Sequence, residues 1–124
     1  MSSELQVIVA FIQPFQLDAV VDAVRRIPNF PGMSVIEVRG FGAHTAHAPR
    51  AGDATEVHPF ETHLRLEVFC RLSDASVILE TIRIAARTGH PGDGKVFAGA
   101  VTAACRIRTT EWGDEALITA PSAV

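Results

Sequence analysis

An α+β fold, a ferredoxin-like βαββαβ sandwich, is predicted from three features of the sequence. Short runs rich in Val, Ile, Leu and Phe have strand lengths. Two other segments carry apolar residues at helical intervals. The two kinds follow one another as strand, helix, strand, strand, helix, strand. Two such halves form a four-stranded antiparallel sheet with both helices on one face. The strands read as apolar on both sides, so the second sheet face needs a cover, and self-association is the economical one.

Leu5 to Ile12 is almost continuously apolar, which suits a strand buried largely on both faces, and Pro14 stops it. Leu17, Val20, Val21, Val24 and Ile27 then recur as one stripe of a helix, with Asp18 and Asp22 early and Arg25 and Arg26 late, as the helix dipole favours. Pro28 and Pro31-Gly32 end it. Ser34–Arg39 is the second strand, closed by Gly40-Phe41-Gly42. Residues 43–62 show no periodicity. A loop this long inside a compact domain is expected to be functional. Leu64, Leu66 and Val68 alternate with Arg65, Glu67 and Phe69 as a third strand. Ser73 is a candidate N-cap for the second helix, whose stripe is Ala75, Ile78, Leu79, Ile82, Ala85 and Ala86. Val96–Ile107 reads as one long fourth strand, and residues 116–124 as a fraying tail to a single domain over residues 1–115.

At 124 residues the chain is one domain, able to bury roughly two-thirds of its unfolded surface. Its net charge of −3 and the lack of any basic run exclude bulk nucleic-acid binding. The apolar stretch Val96–Cys105 is too short to span a membrane, and no signal peptide is visible, so a cytoplasmic location is expected. Cys70 and Cys105 lack metal-ligand spacing and read as buried, reduced thiols.

Chemistry concentrates in Thr88-Gly89-His90-Pro91-Gly92-Asp93-Gly94-Lys95-Val96-Phe97, where three glycines and a proline forbid regular structure. Gly92, Asp93 and Gly94 can turn backbone N–H groups toward one point, and Lys95, the only lysine in the chain, adds a positive charge beside them. A phosphate is the natural guest. Gly89 to Lys95 spells the start of a Walker A loop. However, Val96 stands where the Mg²⁺-binding Ser or Thr belongs, and the loop follows a helix and opens a strand, so the NTPase reading fails. Arg106 and Arg108, two apart on the expected strand, would share a face about 6.7 Å apart. With the glycine cradle they point to a polyphosphate.

His44, His47, His58 and His63 cluster around the long loop, and a transition-metal site there is the competing binding reading. Asp93 and Glu67 form no nucleophile–base set. Asp93 between two glycines suits a turn-fixing role, and Cys70 lacks a partner base. The chain is not read as an enzyme.

Four segments together resemble the PII signalling family over roughly residues 5–115. They are Phe11-Ile12-Gln13-Pro14-Phe15-Gln16-Leu17, Gly32 to Gly42, Thr88 to Phe97, and Arg106-Ile107-Arg108-Thr109. In order, they are similar to that family's first strand–helix junction, the segment before its long T-loop, its B-loop, and its C-terminal arginine pair. The resemblance implies a homotrimer with adenine nucleotide, ADP, AMP or ATP, in clefts between subunits. It places Gly92, Asp93, Gly94 and Lys95 on the phosphates, with Arg106 and Arg108 reaching them across the subunit boundary. Ser34, Gly40, Phe41, Gly42, Glu67 and Phe69 would line the base and sugar end. It also implies a T-loop, residues 43–62, that docks on a membrane transporter or an enzyme.

The departures are as informative. There is no tyrosine, so the family's uridylylation site is absent. Ala43-His44 replaces its Arg-Gln pair and His63 its 2-oxoglutarate lysine, which leaves Mg²⁺ binding an open matter. These changes imply a PII-like variant that keeps the nucleotide and changes its second effector. A compact anion such as bicarbonate leads, in inorganic-carbon metabolism. The alternatives are a metal sensor tied to heavy-metal efflux and a 2-oxoglutarate-sensing nitrogen regulator. Ala43, His44, His47, His58 and His63 are the candidate effector residues, on a loop expected to order only with ligand.

Overall fold

The computed structural model describes residues 4–42 and 60–117. Seven elements follow in order: β1 (Leu5–Ile12), α1 (Leu17–Val24), β2 (Ser34–Gly40), β3 (Glu61–Arg71), α2 (Leu72–Ala86), β4 (Gly94–Val101) and α3 (Asp114–Leu117). A 3₁₀ turn, Pro14–Gln16, leads from β1 into α1, with Pro at its start where no N–H is needed. The sheet order is β2-β3-β1-β4, every pair antiparallel, which is the predicted ferredoxin-like arrangement.

The core lies between the helices and one face of the sheet. Ile8, Ala10 and Ile12 of β1 and Leu66, Val68 and Cys70 of β3 meet Val20 and Val24 of α1 and Ala75, Ile78, Ile82 and Ala86 of α2. The period-2 pattern of the strands and the 3.6-residue stripe of the helices face one another there. In the single chain β1 is fully covered on that face alone, and its other face is half-buried. On that outer side Ile36, Phe69 and Phe97 are about half exposed, so the apolar second face expected from the sequence is present.

Several expectations need correction. First, the fourth strand ends at Val101 rather than Ile107. Its partner β1 begins at Leu5, which pairs with Val101, and among the described residues the ladder ends there. Second, Ser73 lies inside α2. The cap position is Arg71, and Leu72 donates its N–H to the Glu4 carbonyl, so strand passes directly into helix. Third, Cys105 is exposed, whereas Cys70 is buried and its thiol pKa is raised by burial and then by Asp74. Fourth, α1 stops at Val24, so Arg25 and Arg26 follow it rather than forming its last turn. Glu61 and Thr62, read as loop, extend β3, while Ala43, His44, His47 and His58 and most of the tail lie outside the described residues. No helix among the described residues is long and apolar enough to cross a membrane.

Candidate functional site

The glycine stretch joins the end of α2 to the start of β4 and sits on the β1–α1 junction. Gly94 has φ +106°, and a Cβ there would stand 1.7 Å from the carbonyl oxygen of Phe11. Only glycine permits this seat, for both reasons. Gly92, at φ +91°, presents its carbonyl to the side-chain amide of Gln13, which donates a 2.6 Å hydrogen bond. The Asp93 carboxylate closes the loop on itself. It accepts from the Thr88 hydroxyl, from the Thr88 N–H at 2.8 Å and from the Gly89 N–H at 2.9 Å. The Thr88 hydroxyl bond chiefly, then these two N–H groups, hold the Asp93 carboxyl below its ordinary pKa. The turn-fixing role read from the sequence is the role of this side chain. Its oxygens are therefore engaged, and what it can offer an anion is its backbone N–H.

A cleft of about 460 Å³ opens beside the loop, within the usual range for small-molecule sites. Gly40, Phe41, Gly42, His63, Gly94 and Lys95 line it, so the two ends of the sequence-predicted constellation meet. Register explains why. Lys95 pairs with Phe11 at the end of β1, Phe11 pairs with Arg65, and His63, two residues along β3, pairs with Val38. Residues 38–42, 61–63 and 94–95 therefore gather at one end of the sheet. Lys95 is exposed and makes no ion pair among the described residues. At the cleft's outer rim Phe41 and Phe60 meet edge to face at 4.8 Å, and the Arg39 guanidinium sits 5.6 Å from the Phe60 ring. This contact brings together the two chain ends that bound residues 43–59.

Ser34 and Glu67 are cross-strand partners on the outer sheet face, and Phe69, two residues along β3, shares that face. Glu67 accepts from Arg65 at 3.0 Å, and Arg65 lies 5.5 Å from the centroid of Phe11. These three residues do not line the cleft with Lys95 in the single chain.

The arginine pair is placed differently from expectation. Arg106 and Arg108 do not share a strand. They sit on a tight turn in which the Arg106 N–H bonds the Glu111 carbonyl and the Thr110 N–H bonds the Arg106 carbonyl, each at 2.8 Å. Thr110 at φ +59° lets the chain reverse, and Cys105 bridges Trp112. Arg106 pairs with Glu111 at 3.4 Å and donates to the Glu115 carbonyl, while Arg108 points into solvent. Neither lines the cleft of its own chain.

Sequence reasoning missed Gln13 and Gln16 as supports of the loop, and Phe11, Arg39 and Phe97 as cleft walls. Gln13 reaches a residue 79 positions away, and local pattern carries no sign of that. No group of three or more His, Cys, Asp or Glu residues is placed to hold a metal among the described residues.

The molecule thus combines a four-stranded antiparallel sheet, a glycine loop clamped by Asp93 and Gln13, and an exposed lysine at the end of that loop. Residues 5–111 match the family model described as nitrogen regulatory protein P-II. The proteins named nitrogen regulatory protein P-II from Rhizobium meliloti and Rhodobacter capsulatus are each 38% identical over 108 residues, covering 87% of this chain and 96% of theirs. That of Azospirillum brasilense is 37% identical over the same lengths. Among solved structures, Arabidopsis thaliana PII bound to citrate superposes with a TM-score of 0.74 at 29% identity, over 92% of each chain. The chain belongs to the PII signalling protein family.

Proposed function

We propose that this protein is a PII-like signal-transduction regulator that binds an adenine nucleotide in clefts between the subunits of a homotrimer. In this reading the backbone N–H groups of residues 92–94 and the Lys95 ammonium hold the phosphates, and Arg106 and Arg108 are supplied by a neighbouring copy. Ser34, Gly40, Phe41, Gly42, Glu67 and Phe69 enclose the base and sugar. The observation that carries the proposal is the loop's construction. Gly94 is pressed onto the Phe11 carbonyl, Asp93 is tied internally, and Lys95 is left exposed at the mouth of a 460 Å³ cleft. That neither arginine lines its own chain's cleft is what a composite site requires, and the apolar outer sheet face supports association.

Nucleotide occupancy and a second small effector together would switch the loop of residues 43–60, which docks on a transporter or an enzyme. The departures at Ala43, His44 and His63 favour a compact anion, with bicarbonate the leading candidate and inorganic-carbon metabolism the setting. A second reading, a nitrogen regulator sensing 2-oxoglutarate, is favoured by the names of the curated relatives. A metal sensor using His44, His47 or His58 is the third.

Calorimetry tests the first step. ADP or ATP should bind far more tightly than adenosine, and Lys95→Ala or Arg108→Ala should each weaken ADP by about 1.5–3 kcal/mol, as for hydrogen bonds to charged groups. Equal binding of adenosine and ADP would refute the phosphate cradle. Hydrogen exchange of residues 43–60 separates the effectors. Protection with ADP plus bicarbonate supports the anion. Protection only with nucleotide, Mg²⁺ and 2-oxoglutarate supports the nitrogen regulator, and protection by Zn²⁺ alone supports the metal.

A further inference from the structure

The loop is held from outside by one short segment. Gln13 donates to the Gly92 carbonyl at 2.6 Å, and Gln16 donates to the Ala85 carbonyl, just ahead of the loop, at 3.2 Å. The two glutamines are the ends of a single turn, since the Gln16 N–H bonds the Gln13 carbonyl. Two residues earlier, the Phe11 carbonyl is the surface on which Gly94 sits. Residues 11, 13 and 16 therefore form a template for the end, middle and entry of the glycine stretch.

The middle contact governs chemistry. A trans peptide points its C=O and the following N–H to opposite sides. With the Gly92 oxygen turned to Gln13, the Asp93 N–H faces the other way. Rotating that peptide would exchange the two, putting a carbonyl where an anion's N–H donor had been. Such a rotation turns ψ of Gly92 and φ of Asp93, and glycine at 92 leaves its ψ a freedom that a residue with a Cβ lacks. It also leaves room, since a Cβ on Gly92 would come within 3.3 Å of the Gln13 amide. Asp93 does not oppose the rotation with its side chain alone, for its carboxylate is bonded to Thr88 and Gly89 and not to the 92–93 peptide.

We infer that Gln13 is a positioning residue that locks the orientation of the Gly92–Asp93 peptide, so that the loop presents N–H rather than C=O to a phosphate-bearing ligand. The inference rests on the nucleotide reading of the loop. Gln13→Met keeps length and removes the donor. It should lower ADP affinity roughly three- to tenfold, the range of a single hydrogen bond, while leaving the melting temperature near that of the wild type. The amide ¹⁵N–¹H resonance of Asp93 should move strongly when ADP is added to the wild-type protein and little in Gln13→Met. A loss of general stability would not produce that selective difference. Should Gln13→Met fail to fold, Gln13→Glu applies. It has the same shape but sets a carboxylate against the Gly92 carbonyl, and it should weaken ADP at least as much. Wild-type ADP affinity and an unchanged Asp93 shift in the folded variant overturn the role of Gln13 and leave the nucleotide site standing. If the wild type itself prefers ADP no more than adenosine, both fall together.

Discussion

Gly94 is the least replaceable residue of the loop. A methyl group on it would overlap the Phe11 carbonyl oxygen at 1.7 Å, against backbone that cannot swing aside, and its φ of +106° is costly for any other residue. Gly94→Ala should therefore destabilise the fold by about 2–4 kcal/mol in a denaturant titration, and a change under 1 kcal/mol would show that the loop can move off β1. Asp93 carries a pH dependence of definite sign. Its folded pKa is depressed, first by the Thr88 hydroxyl and then by the Thr88 and Gly89 N–H groups, so its tie is fully present above the usual carboxylate range. The tie is lost as pH falls through that depressed value. Protection of the Thr88 and Gly89 amides, taken relative to their intrinsic exchange rate at each pH, should fall on acidification in the wild type, and in Asp93→Ala it should already be low at neutral pH. At this scale much was legible. Asp93 between glycines announced a turn, and Lys95 stood out as the lone lysine. Gln13 was not legible, because a donor facing a carbonyl 79 residues away follows from the sheet order, not from its neighbours.

Elements follow the hydrophobic pattern wherever a partner exists to receive it. In α2, Ala75, Ile78, Ile82 and Ala86 are buried, while Val77 and Ile84, on the turned-away side, are exposed. Ile82 is fully buried under the sheet. Ile82→Ala should cost about 2–5 kcal/mol, read as an earlier urea midpoint with an unchanged slope. A midpoint within error of the wild type would mean that the helix–sheet layer repacks freely. The fourth strand shows where pattern alone misleads. Val96 to Ile107 is apolar and small enough to be one strand, yet a strand needs a neighbour, and among the described residues the ladder with β1 ends where Leu5 pairs with Val101. The chain turns instead, and Ile107, 95% exposed, shows how little its hydrophobicity decided. The arginine pair moved with it, from one face of a strand to a tight turn.

Across the whole molecule, the two-layer architecture was predictable because each helix had one apolar stripe and the order of strands and helices allowed few topologies. What the single chain leaves open is its outer sheet face. Ile36, Phe69 and Phe97 are each about half exposed there. Sedimentation equilibrium should give about three chains per particle, and Ile36→Glu, which places a charge on that face, should shift the particle toward monomer without unfolding it. A wild-type monomer at micromolar concentration would refute the assembly.

The position of β1 in the middle of the sheet also sets a timetable. It is made first, but its two neighbours are β3 and β4, and Ile12 must wait for Leu64 on one edge and Gly94 on the other. At roughly 5–20 residues per second of synthesis, the second edge stays open for on the order of ten seconds. During that interval a run of Val, Ile and Phe has unpaired N–H and C=O groups on at least one side, the condition under which strands stick to other chains. Closing it requires contacts of long sequence separation, which form slowly. The glycine stretch is the last part of the chain to be made before β4. The segment that carries the candidate chemistry therefore also gates the moment at which the nascent sheet becomes safe from its neighbours.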